Sequence, residues 1–291
     1  MRKGIASSRG AISILNAIPT GTGAAMGITL QTDAEVIVEE GESKIDVFLE
    51  EREENNLLAR ECIRGLFAQC KETIGKITVK TKSTIPVSRG LKSSSAAANA
   101  ITLAAARAID ANINDIDMIK LGVEAAKRAK VTVTGAFDDA TACYFGGIAV
   151  TDNSEMKILN RSESPSHEIR VIIHVPKWRI RKRGISQRTF SLLRKEFEKA
   201  ERLVRKGDFF TALTLNGELV ARSLDIDNSV AEAALRKGAI AAGISGTGPA
   251  TAILTKGKSF NDVLDAVSCD DSAVIVASLN NTPAPEVKPR L

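Results

Sequence analysis

Apolar and polar positions alternate along this chain in two rhythms. Alternation or short β-branched runs predict strands over residues 10–18, 29–40, 45–49, 76–81 and 169–175. Helical spacing takes over at residues 53–70, where Leu57, Leu58, Cys62, Ile63, Leu66 and Phe67 share one face. An alanine-rich helix is predicted over 96–109. Another spans 115–128, with Asp115 as its N-cap and Ile116, Ile119, Leu121, Val123 and Ala126 on its apolar side. Residues 187–223 hold two or three helices, and 229–237 one more. Residues 239–254 read as strand, glycine-rich turn, strand, followed by a helix at 260–267 and a strand at 273–277. The sequence turns polar near residue 160, which predicts two α+β units, 1–155 and 156–291. The proline-bearing tail from Thr282 reads as loose.

Three stretches carry chemistry. The first is Pro86, Val87, Ser88, Arg89, Gly90, Leu91, Lys92, Ser93, Ser94, Ser95 and Ala96, which lies between a strand and the alanine-rich helix. A helix N-terminus offers unpaired N–H groups and partial positive charge to an anion. The serines add hydroxyls and Lys92 a full charge, while the alanines behind let the helix pack closely. A serine-rich N-cap would look similar. The stretch matches neither the Walker loop nor the dinucleotide glycine pattern. The second is Ser245, Gly246, Thr247 and Gly248, a turn able to bring backbone N–H groups to an anion. The third is the carboxylate pair Asp138 and Asp139, which by itself reads as an N-cap pair.

Composition narrows the class. With 44% hydrophobic and 26% charged residues in 291, the chain reads as a soluble globular protein, and at 4% aromatics its core must be aliphatic. No apolar run approaches the ~18 residues of a membrane span, and the basic N-terminus lacks an apolar leader core. Cys62, Cys70, Cys143 and Cys269 show no Cys-x-x-Cys spacing, as expected of reduced thiols in a cytoplasmic protein. The formal net charge of +5 suits an anionic substrate, ATP or nucleic acid. The basic run 177–183 could be a solvated loop, a nucleic-acid contact or an arginine clamp for a carboxylate, with Arg179, Arg181 and Arg183 as candidates. Aromatics do not interleave with the basic residues, which argues against single-strand binding.

The stretch from Pro86 resembles the phosphate loop of the GHMP kinases, Pro-x-x-x-Gly-Leu-Gly-Ser-Ser-Ala, matching at Pro86, Gly90, Leu91, Ser93 and Ser94. It departs at Lys92, where most of the superfamily has glycine, and the third serine is extra. The Gly-Leu-Lys-Ser-Ser-Ser-Ala form is similar to the archaeal-type shikimate kinases. This resemblance implies a ribosomal S5-like N-terminal domain, a ferredoxin-like C-terminal domain and an active site between them. It implies ATP and Mg²⁺, and phosphorylation of shikimate to shikimate 3-phosphate in aromatic amino-acid biosynthesis. Homoserine- and mevalonate-type kinases are the alternatives, and a basic nucleic-acid-binding protein the reading from another class. The family's Gly-x-Asp element is followed by Gly-Gly. Counting back from Gly146-Gly147 assigns the catalytic role to Asp139, the preferred reading because the helix to that turn should hold its length; counting forward from Gly135 gives Asp138 as the alternative. The same resemblance puts Ser94 and Glu124 at the metal, Thr22 and Gly23 at the substrate, and 245–248 over the phosphates. It leaves the oligomeric state open.

Overall fold

The computed structural model describes residues 1–50, 56–165, 168–178, 185–269 and 272–290. The chain opens with β1 (Arg2–Leu15) and β2 (Thr22–Glu39), which pair antiparallel over nearly their whole lengths. β1 starts well before the residue 10 that apolar patterning predicts. Its early inward positions are small and polar: Ser7 and Ser8 are fully buried, and their hydroxyls donate to Asp33 Oδ1 and to the Cys143 carbonyl. A buried hydroxyl is tolerated when it is hydrogen-bonded, so hydropathy alone misses such a strand. β2 likewise begins before the residue 29 that patterning predicts, at Thr22.

β3 (Lys44–Leu49) and β4 (Lys76–Ser83) pair parallel, joined by α1 (Asn56–Cys70). The start of the predicted 53–70 helix lies outside the described residues. β4 pairs with the end of β2, and β5 (Ile148–Asp152) with its start. Next to β5 lies β6 (Lys157–Ser162), formed where the sequence turns polar, so the first sheet runs past the expected boundary at 155. Those positions are mostly exposed, so the strand carries no apolar signal. Against this sheet pack α2 (Ser93–Ala108), α3 (Asp115–Arg128) and α4 (Phe137–Phe145). The alanines of α2 allow near-backbone contact: a Cβ on Gly4 of β1 would stand 2.0 Å from the Ala104 carbonyl oxygen. α3 is capped by Asn114, whose side chain accepts from the Asp117 N–H, rather than by Asp115, whose carboxylate takes the Tyr144 hydroxyl instead.

The second sheet runs β10 (Ser272–Ser278), β7 (Ile169–Pro176), β9 (Thr251–Lys256), β8 (Ala241–Ile244), with every neighbour antiparallel. In chain order these are the fourth, first, third and second strands, the ferredoxin-like arrangement. A 3-10 turn (Gln187–Leu193) and α5 (Arg194–Arg205), α6 (Phe209–Leu224) and α7 (Ser229–Arg236) connect β7 to β8, and α8 (Ser259–Val267) connects β9 to β10.

The two sheets share one core. Ile12, Ile14 and Met26 of the first pack in a single cluster with Val171, Ile173, Ala252 and Leu254 of the second. The tail is anchored, contrary to expectation. Ala284 is buried in the core of the first unit, Arg107 donates to the Pro285 carbonyl, and Gln31 donates to that of Lys288. In the second unit α6 meets β8 through two glycines: a Cβ on Gly217 would lie 2.3 Å from Gly243 Cα. Gly217→Ala therefore overpacks this seam. It is expected to cost about 3 kcal/mol, read as a lower urea midpoint with unchanged m.

Candidate active site

The loop from β4 to α2 is built on left-handed turns. Ser88, Gly90 and Lys92 have φ of 57°, 85° and 65°. At Gly90 no side chain is possible, since a Cβ would stand 2.0 Å from the Ser245 carbonyl oxygen. The helix starts at Ser93, so the serines form its first turn, and Lys92 is the cap residue. That turn holds no acidic residue and no side-chain cap, which leaves its N–H groups to an anion.

The 245–248 turn, between β8 and β9, closes on this loop from the second unit. Ser245 Oγ donates to the Gly90 carbonyl at 2.8 Å, and the Ala250 N–H donates to that of Arg89 at 3.1 Å. Asn16 Nδ2 donates to the Gly246 carbonyl at 3.2 Å. Arg89 also donates to the carbonyls of Lys177 and Trp178, so the loop before α2 holds the start of the basic run.

Lys92 lies across the middle. Its Nζ is 3.0 Å from Asp139 Oδ1 and 2.6 Å from Ser13 Oγ, and the side chains of Lys92 and Asp139 are only 7% and 14% exposed. The two carboxylates are not a cap pair; the cap position is Ala136, in the left-handed region. They sit in the first turn of α4 and meet different surroundings. Asp138 is buried against β2, where a Cβ on Gly23 would come within 2.5 Å of its carboxyl. It accepts from Asn153 Nδ2 at 2.7 Å, and its N–H donates to Asn153 Oδ1 at 3.1 Å. Burial, reinforced by the charge of Asp139 and opposed by Lys92 and Asn153, pushes the Asp138 carboxyl up to about 7.

These groups line a cavity of about 690 Å³. One end is apolar, with Leu49, Leu58, Ala59, Ile101 and Val131. The other holds Ser13, Lys92, the three serines, Asp138, Asp139, Gly246 and Thr247. Val87, Ser88 and Gly90 line it as well. Glu124 does not: it is half exposed and ion-paired with Lys127. Thr22 donates to Glu201 of α5 at 3.0 Å, and Gly23 backs Asp138; neither is in the lining. Arg179, Arg181 and Arg183 lie outside the described residues. Sequence reasoning passed over Ser13, Asn16 and Asn153. The partners that tie them into the site lie 15 or more positions away, and no local pattern marks them.

A cavity with an uncapped helix terminus at a glycine turn is an arrangement that binds phosphate groups. Comparison with known proteins gives the family. Residues 56–147 match GHMP kinases N terminal domain. The shikimate kinase of Methanosarcina mazei is 40% identical over 285 residues, covering 97% of this chain and 96% of that protein. That of Pyrococcus furiosus is 39% identical over 253 residues, covering 87% and 92%. The chain belongs to the GHMP kinases. Solved structures share the fold at low identity. A Methanococcus jannaschii mevalonate kinase aligns with TM-score 0.75 at 17% identity, covering 95% of this chain and 98% of that one. A Cytophaga hutchinsonii homoserine kinase aligns with 0.71 at 15%, covering 96% of each.

The raised Asp138 carboxyl makes a pH prediction. Its folded value exceeds the unfolded ~3.9, so between about pH 4 and pH 7 the folded state binds the extra proton and stability falls as pH rises. Asp138→Asn keeps an oxygen to accept from Asn153 and removes the charge. Its stability relative to wild type is expected to increase from about pH 4 to pH 7 and level off above, as measured by urea denaturation across pH.

Proposed function

We propose that this chain transfers the γ-phosphoryl group of ATP to the 3-hydroxyl of shikimate. The likeness to archaeal shikimate kinases over nearly the whole chain supports the acceptor. The observation that carries the chemistry is the buried Lys92–Asp139 pair beside the first turn of α2. Phosphoryl transfer asks a protein for positioning and charge compensation more than for covalent work. The apolar end of the cavity suits a nucleobase. The first-turn N–H groups and the hydroxyls of Ser93, Ser94 and Ser95 hold the phosphates, with the 245–248 backbone opposite. Lys92 supplies positive charge where negative charge builds. Asp139 orients the acceptor hydroxyl and takes its proton; Asp138, sequestered by Asn153 and Gly23, fixes the turn that presents it.

Magnesium fits this donor set. No group of three His, Cys, Asp or Glu is gathered among the described residues. Mg²⁺ is commonly held by one or two carboxylates with substrate phosphates and water. Asp139 and the Ser94 hydroxyl, both in the cavity lining, would hold it. The ion would neutralise phosphate charge.

ADP release is measured with Mg-ATP and shikimate, homoserine or mevalonate in parallel. Turnover with shikimate alone is expected; turnover with another acceptor instead overturns the substrate assignment. Asp139→Asn is expected to lower kcat by about 10²- to 10⁴-fold with an unchanged circular dichroism spectrum. An active Asp139→Asn beside an inactive Asp138→Asn would exchange the two roles.

A further inference from the structure

Ser13 has no part in the reading above beyond lining the cavity, yet three elements meet on it. It sits in β1 where the pairing with β2 shifts register, between Ser13 and Leu15. Its Oγ accepts from Lys92 Nζ at 2.6 Å and from the Gly246 N–H at 2.9 Å. Its own N–H donates to Ser245 Oγ at 3.1 Å, and that hydroxyl donates onward to the Gly90 carbonyl. The side chain is almost wholly buried and still forms part of the cavity wall.

A serine hydroxyl has two lone pairs and one hydrogen. Both lone pairs are engaged here, one by an ammonium and one by a backbone amide. The hydrogen is left as a donor, and no hydrogen bond from it to a described residue is formed. Accepting from a cation polarises the O–H and strengthens it as a donor. It stands beside the lysine and the glycine turn that face the phosphate end of the cavity.

We propose that the Ser13 hydroxyl donates a hydrogen bond to a non-bridging oxygen of the phosphoryl group in transfer, while its lone pairs fix Lys92 and Gly246 around that group. Ser13 is then a catalytic residue as well as the link between phosphate loop and glycine turn. This rests on the kinase reading, although not on the identity of the acceptor.

The test compares wild type, Ser13→Ala and the near-isosteric Ser13→Cys, using ATP and its γ-thio analogue. Each is measured with shikimate and, separately, for acceptor-free ATP hydrolysis. Loss of one such donor is expected to lower kcat for ATP by about 10²-fold, with both KM values within about threefold. Sulfur accepts hydrogen bonds poorly, so the ATP-to-thio rate ratio is expected to shrink in both variants. Turnover near wild type in both variants would overturn the proposal. So would an equal fall with the two nucleotides, the mark of a structural role only. Wild type inactive toward shikimate would sink the acceptor assignment, and the hydrolysis arm would still decide on Ser13.

Discussion

The candidate active site depends on one buried charge pair. Lys92 stands at the N-terminus of α2, where the helix dipole already favours anions and disfavours a cation. Its ammonium is withdrawn from water and is compensated by Asp139 from another helix. Breaking a buried pair leaves an uncompensated charge at a cost of roughly 3–5 kcal/mol, so neither residue is free to drift. The phosphate loop, the start of α4 and β1 are therefore held in one geometry before any ligand arrives. Such pre-organisation is what a reaction limited by positioning requires. Around the neutral pair, a helix terminus and the amides of a facing turn supply the partial positive charge that favours an anion.

Two adjacent carboxylates are given different lives by their neighbours. One turn of α4 points Asp138 into β2, against the backbone of Gly23, and Asp139 toward Lys92. Asn153 clasps the first through both its N–H and its carboxyl, and its own N–H donates to the Gly21 carbonyl. Divergent environments for paired acids are a recurrent way to separate roles. Glycine at position 23 makes room for the buried acid, and glycine at position 90 lets the two loops touch. Neither contact survives a side chain.

Much of this was legible in the sequence. The phosphate loop, the carboxylate pair and the glycine turn each have a local pattern, and their order along the chain has meaning. Strands with apolar alternation, such as β7, could be placed to within a residue or two. The start of β1 and all of β6 were illegible because their positions are filled by small polar or exposed residues. Tertiary hydrogen bonds, rather than hydropathy, hold Ser7 and Ser8 inside. Ser13 and Asn153 were hidden for a related reason, since their partners lie 79 or more positions away in one case and 15 in the other. A metal role for Glu124 followed the family resemblance, and the fold turns that side chain toward Lys127 and away from the cavity.

The anchored tail bears on how the protein is made. The core of the first unit is closed by Ala284, and Asn280 bonds to the backbone of Gly27 and Gly147. During synthesis the chain emerges from its N-terminus, so the phosphate loop and both aspartates are exposed long before these residues exist. The first unit must wait, with part of its apolar surface open, through the translation of the whole second unit. Completion of the first unit is thus a late event, coupled to completion of its partner.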